Sequence, residues 1–163
     1  MTRLRAALAV FLAGLLLVGT AARAQSDGRH AADEEAAQAA AREWLGHLEG
    51  PDVEDSWEDA AASFRERTDR EAWARDVTRR ADSLGAPTAR TLASARYRDS
   101  LRAPAAEGPF VELTYRSRFA DGRYEERLLV AREEGAWRVA GYEARPLPWA
   151  ASPSGPVRGG PEP

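Results

Sequence analysis

Two carboxylates and two tyrosines in the middle of the chain have the types and spacing to move a proton. They lie in the stretch Phe110 to Tyr142, where apolar and polar residues alternate around two turn signals, the pattern of a three-stranded antiparallel meander. The first signal, Asp121-Gly122, supplies the positive φ angles that a two-residue hairpin turn needs. Pairing outward from it sets Ala120 against Arg123, Phe119 against Tyr124, Ser117 against Glu126, Tyr115 against Leu128 and Leu113 against Val130. Glu126 then stands on the apolar face, beside Tyr124 and diagonal to Tyr115. The second signal, Glu133-Glu134-Gly135, closes as a two-residue loop if Trp137 and Val139 are to share a face with Leu128 and Val130, and this register places Glu143 opposite Glu126. Two desolvated carboxylates that close cannot both ionise cheaply, so one would hold a proton near neutrality and act as general acid or base. With a tyrosine hydroxyl to stabilise an oxyanion, the chemistry would be proton abstraction next to a carbonyl. Two considerations oppose it. Charged residues a few positions from a turn are usually solvated, and a bulged second hairpin would set Tyr142 rather than Glu143 against Glu126. No catalytic residue is therefore assigned, and Tyr115, Tyr124, Glu126 and Glu143 are carried as ligand-binding candidates.

The missing residue types narrow the chemistry further. The chain has no cysteine and no lysine, which removes thiolate nucleophiles, Schiff bases and the phosphate-binding lysine of nucleotide-binding loops. His30 and His47 are the only imidazoles, so a three-histidine zinc site is impossible, and neither metal nor cofactor is expected. His47 falls near the end of the first helix, where the helix dipole favours a protonated ring and gives the residue a use without catalysis.

The chain opens with Arg3 and Arg5, an apolar run from Ala6 to Val18 and the small-residue ending Ala22-Arg23-Ala24, the form of a secretory signal peptide cleaved after Ala24. The run is shorter than the roughly 20 apolar residues that span a bilayer, and no cysteine follows to take a lipid. The expected product is exported, periplasmic or secreted, and soluble. Loss of residues 1–24 removes three arginines and no acid, taking the net charge from −3 to −6. An acidic chain with dispersed arginines lacks the basic footprint that nucleic acid requires. Without disulfides, packing alone must hold the fold.

After a flexible start at 25–30, three amphipathic helices precede the strands. The first, about Ala31 to Glu49, aligns Ala37, Ala41, Trp44, Leu45 and Leu48 and stops at Gly50-Pro51. Asp52 caps a second whose stripe is Val53, Trp57, Ala60, Ala61 and Phe64. Thr68-Asp69-Arg70-Glu71 is a capping box for a third, with Trp73, Val77, Ala81 and Leu84 inward and Gly85 as terminator. Asp76 and Arg80 lie one turn apart on its solvated face. Trp44, Trp57 and Trp73 each occupy an inner stripe. Packing over a sheet is their first use, and an aromatic-walled pocket the alternative, for which Trp57 and Trp73 are candidates. Residues Thr88 to Leu101 form a further strand, with Ala93, Ala95 and Tyr97 on one side and Leu92, Ser94 and Arg96 on the other. Helices followed by strands specify an α+β domain, residues 31–145, with three helices on one face of a curved four-stranded antiparallel sheet. The composition of 146–163, which includes Trp149, is that of a disordered Pro/Gly-rich tail.

The elements Ser56-Trp57-Glu58, Ala60-Ala61, Phe64, Trp73, Leu84-Gly85, Arg90-Thr91-Leu92, Ser94-Ala95, Tyr97 and Trp137 to Tyr142 resemble a bacterial exported family catalogued as domain of unknown function 4019. The resemblance covers roughly Ala36 to Ala144 and transfers no activity. The order of elements also resembles the cone of the nuclear transport factor 2 and ketosteroid isomerase-like folds, which implies a pocket between helices and sheet. Three functions stay open: a non-catalytic exported module binding a small apolar ligand or an exported protein, an isomerase-like enzyme using Glu126, and an assembly module dimerising through the outer sheet face around Thr114 and Leu129. The missing catalytic residue types favour the first.

Overall fold

The structure, a computed structural model, describes residues 28–51, 53–99 and 108–148. The signal peptide, the Asp52 cap, the end of the first strand and Trp149 lie outside the described residues. Helix α1 (28–49) buries the expected stripe, with Ala37, Ala41 and Leu45 fully enclosed and Trp44 nearly so. Two short helices follow where one is expected, α2 (Val53–Glu58) and α3 (Ala62–Arg67). The break serves the sheet. Ala60 belongs to the main core and Ala61 to a smaller cluster beyond the sheet edge, and the Ala61 N–H donates to the Val139 carbonyl at 2.9 Å. Arg65 takes up the Glu58 and Ala60 carbonyls that the broken helix leaves unbonded. Helix α4 (Arg70–Leu84) is capped by Asp69, whose side chain accepts from the Ala72 N–H, so the capping residue is one position later than the Thr68 box. It ends at Gly85, with φ of 67°.

Strands β1 (Ala89–Arg98), β2 (Phe110–Phe119), β3 (Gly122–Glu133) and β4 (Ala136–Pro146) form one antiparallel sheet in sequence order, giving a single α+β domain with an open sheet. Trp44, Phe64, Trp73 and Val77 of the helices pack on Val111, Leu113, Tyr115, Leu128, Val130 and Val139 of the sheet. On the opposite face Phe110, Ala131 and Ala140 cluster with Ala61.

Three features of the register correct the sequence reading. The first hairpin turns at Ala120-Asp121, so Phe119 faces Gly122 and Tyr115, not Ser117, faces Glu126. No residue of this turn has positive φ, so the conformational freedom of Asp-Gly goes unused and the register moves by two. A shift of two preserves the faces, and Glu126 stays inward. The second hairpin is the expected two-residue loop, with Glu134 at φ 50° and Gly135 at φ 86°. Beyond it, a bulge between Val139 and Gly141 adds Ala140 and shifts the pairing by one. Tyr142 therefore points to the core side and Glu143 to the outer face, and Glu126 faces Ala144. A matching bulge at Ala93 in β1 brings Leu92 onto the core side with Ala95 and Tyr97, where the alternation had placed it opposite them.

Candidate functional site

The inward-facing Glu126 has no exposed surface. Three side chains converge on it through four hydrogen bonds. From β1, Arg90 donates Nε to Oε2 at 2.7 Å and Nη2 to Oε1 at 3.2 Å, a two-pronged pair. From β2, the Ser117 hydroxyl makes a short bond to Oε2, and from β4 the Tyr142 hydroxyl donates to Oε1 at 2.7 Å. Arg90 also holds Glu49 at the end of α1 through Nη1 at 2.5 Å. One carboxylate thus ties all four strands together, and Arg90 adds the helix layer.

Burial alone would raise the Glu126 pKa, but the bonds from Arg90 and Ser117, the Arg90 charge and the Tyr142 bond outweigh it, and the carboxyl is held below its usual value. Burial would likewise discharge Arg90, and the Glu126 and Glu49 carboxylates reverse that. Burial and the adjacent Glu126 charge push the Tyr142 phenol well up, so it stays protonated and donates. The network is an ionised pair with its hydrogen bonds filled. It offers no carboxylate waiting for a proton.

Beside the network lies a cavity of about 110 Å3 between the ends of α1 and α4 and the β1 and β2 ends of the sheet. Leu48, Val77, Ala81, Pro87 and Phe119 supply apolar wall, and Glu49, Arg80, Arg90, Glu126 and Tyr142 reach it. The Arg80 guanidinium stacks over the Tyr142 ring at 5.2 Å and gives Nη2 to Asp76 at 3.1 Å. Its Nη1 is buried and has no hydrogen-bond partner among the described residues.

The other candidates fall elsewhere. Tyr115 packs its ring in the main core directly across from Glu126. Tyr124 bonds Asp121 at 2.8 Å and meets Phe119 edge to face. Glu143 pairs with Arg145 at 2.6 Å on the outer face, so the Glu126–Glu143 dyad does not form. Trp73 is buried with its Nε1–H on the Ser56 hydroxyl at 2.8 Å, and Trp57 is half-buried with its Nε1–H on the Thr68 carbonyl at 2.7 Å. Neither lines the cavity. His47 contacts Asp59 at 3.2 Å, outside the cavity lining. Among the described residues no cluster of three or more His, Asp or Glu is placed to hold a metal, and no helix is long and apolar enough to cross a membrane.

The family described as protein of unknown function (DUF4019) matches residues 40–142, well over half of the chain. The chain belongs to this family. The match spans Arg80, Arg90, Ser117, Glu126 and Tyr142, so the whole network and the donor beside it belong to the DUF4019 portion. No curated protein and no solved structure matches, and the resemblance to a nuclear transport factor 2-like cone is not confirmed. Arg80, Arg90, Ser117 and Tyr142 are the residues around Glu126 that the sequence did not single out as site candidates. The signal for Arg90 was its place two residues before Leu92 on one face of β1, hidden because the bulge at Ala93 sets which side of the sheet that face shares.

Proposed function

We propose that this DUF4019 chain is an exported, non-catalytic module that binds a small, mostly apolar ligand in the cavity beside Arg90 and Tyr142. The observation that carries this is the saturation of Glu126. A general base needs a free lone pair and a pKa near the working pH, whereas Glu126 is bonded by Arg90, Ser117 and Tyr142 and held ionised. The enzymatic alternative thereby loses its only candidate base. A concave, largely apolar site with a few convergent polar groups is the ordinary form of a ligand pocket. Export rests on the leader-like residues 1–24.

The test is native mass spectrometry of residues 25–163 purified gently from a secreting bacterial host, alongside Ala81→Phe, which fills the cavity mouth. The proposal expects a reproducible adduct that disappears on denaturation and is absent from the variant. An apo mass for both proteins, even after incubation with a bacterial metabolite extract, would overturn it.

A further inference from the structure

The outer face of the sheet gathers arginines that the sequence disperses. At its second-hairpin end Arg138 donates to the Asp59 carbonyl and Glu133 accepts from the Ala62 N–H, so both turn back to the α2–α3 segment. The rest of the face carries seven arginines and three glutamates, a net charge of +4, on a chain whose charge from residue 25 onward is −6. All three glutamates are spent within the face, Glu112 on Arg98 at 3.3 Å, Glu125 on Arg127 at 2.6 Å and Glu143 on Arg145 at 2.6 Å. Arg96, Arg116, Arg118 and Arg123 are exposed and have no carboxylate partner among the described residues. Arg118 and Arg123 stand directly opposite each other, an unfavourable meeting of like charges that an anion between them would relieve. The unpaired arginines follow the strand direction. Arg116 lies two residues from Arg118 on β2, about 7 Å away, and Arg96 pairs with Glu112, four residues further along. An extended peptide with an acid at every second residue repeats at the same spacing of about 7 Å, and a guanidinium fork suits a carboxylate. Among these side chains a hollow of about 740 Å3 opens over Thr114, Leu129 and Gly141. Glu112, Glu125 and Glu143 line it too. They oppose a uniformly anionic partner such as a lipid bilayer or a nucleic acid, whereas a peptide backbone brings N–H donors that they can accept.

We infer that the outer face of the sheet docks an extended acidic segment of a partner protein, its carboxylates on Arg96, Arg116 and the Arg118–Arg123 pair and its backbone over Thr114 and Leu129. This site is separate from the cavity beside Arg90. The test is fluorescence anisotropy of residues 25–163 at low ionic strength with a labelled short peptide of alternating glutamate and serine, the same peptide with glutamine for glutamate, and labelled single-stranded DNA, alongside cosedimentation with phosphatidylglycerol vesicles. The glutamate peptide is expected to bind saturably, at least about tenfold more tightly than the glutamine peptide, as the sum of several exposed ion pairs, and to weaken as salt is added. Its amide shifts should map to Arg96, Thr114, Arg116 and Leu129 and spare Leu48 and Ala81 in the cavity. Arg116→Gln with Arg118→Gln should weaken binding about fivefold without lowering the melting temperature, since one of two opposed arginines is removed. Arg79→Gln, which removes an exposed charge from α4, should change nothing. Equal binding of the two peptides, an Arg79→Gln loss as large as that of the double variant, or no saturable binding would overturn the inference. Tighter binding to the DNA or the vesicles than to the glutamate peptide would replace the peptide with a polyanion or a membrane. Salt-sensitive self-association through the same face, abolished by the double variant, would make a second copy of this chain the occupant and refute the partner assigned here.

Discussion

Replacing Glu126 with glutamine removes one charge and almost no volume, which makes it the cleanest perturbation of the network. Glutamine keeps a carbonyl oxygen for one hydroxyl but cannot accept the two-pronged Arg90 pair, leaving a mostly buried guanidinium with Glu49 alone. Breaking a buried ion pair by removing one partner costs about 3–5 kcal/mol. Arg90 is 19% exposed and retains Glu49, so the low end, about 3 kcal/mol, is expected. At about 4 °C per kcal/mol for a domain of this size, the melting temperature should fall by about 12 °C. The assay is thermal unfolding followed by circular dichroism at neutral pH, repeated down to pH 3. The folded-state pKa of Glu126 lies below its ordinary 4.5, so its stabilisation is present above that value and is lost as pH falls through the folded one. The gap between wild type and Glu126→Gln should therefore narrow below about pH 4.5. Equal melting temperatures at neutral pH would refute the reasoning. So would a gap between wild type and Glu126→Gln that widens as the pH falls from 5 to 3.

Other perturbations test the surroundings. Ser56→Ala leaves the buried Trp73 indole N–H without its acceptor while Trp44 keeps the Ser56 carbonyl, and urea denaturation should register a loss of about 1–3 kcal/mol. Gly135→Ala forces a side chain onto a φ of 86° and should cost about 1 kcal/mol in the same assay. Gly141→Ala, whose Cβ would meet Leu129 at an ordinary 3.7 Å, should lie within about 0.5 kcal/mol of wild type. All four tyrosines, Tyr97, Tyr115, Tyr124 and Tyr142, have pKa values raised above 10. An ultraviolet titration should show less than half of the phenol ionised at pH 10 in the folded protein, with stability declining above that pH because the unfolded chain ionises first.

The fold was largely legible because its signals are local. Trp44, Trp73, Val77 and Phe64 declare their stripes by helical spacing, and strand alternation assigns Glu126 to the inner face whether or not the hairpin slips by two residues. The site was not, because it depends on odd-residue events. Ala93 and Ala140 look like ordinary strand residues, yet each is the extra residue of a bulge, and a shift of one exchanges inner for outer. The Ala140 bulge exchanged Glu143 for Tyr142 and so replaced a carboxylate dyad with a phenol donor. Arg90 joins Glu126 across 36 residues of sequence through β2, a contact no local pattern encodes. The break between α2 and α3 has the same origin: Ala60 and Ala61 fit a helical stripe, but a carbonyl at the bulged edge of β4 captures the Ala61 N–H.

The measurement that bears most directly on the non-catalytic reading is the carbon-detected NMR titration of the Glu126 side-chain carboxyl in residues 25–163, assigned with Glu126→Gln. An ionised carboxylate at neutral pH, with its midpoint below 4.5, is the expected result. A midpoint at pH 6 or above would contradict it, since a carboxyl that holds its proton near neutrality is a working acid or base rather than a filled structural anion.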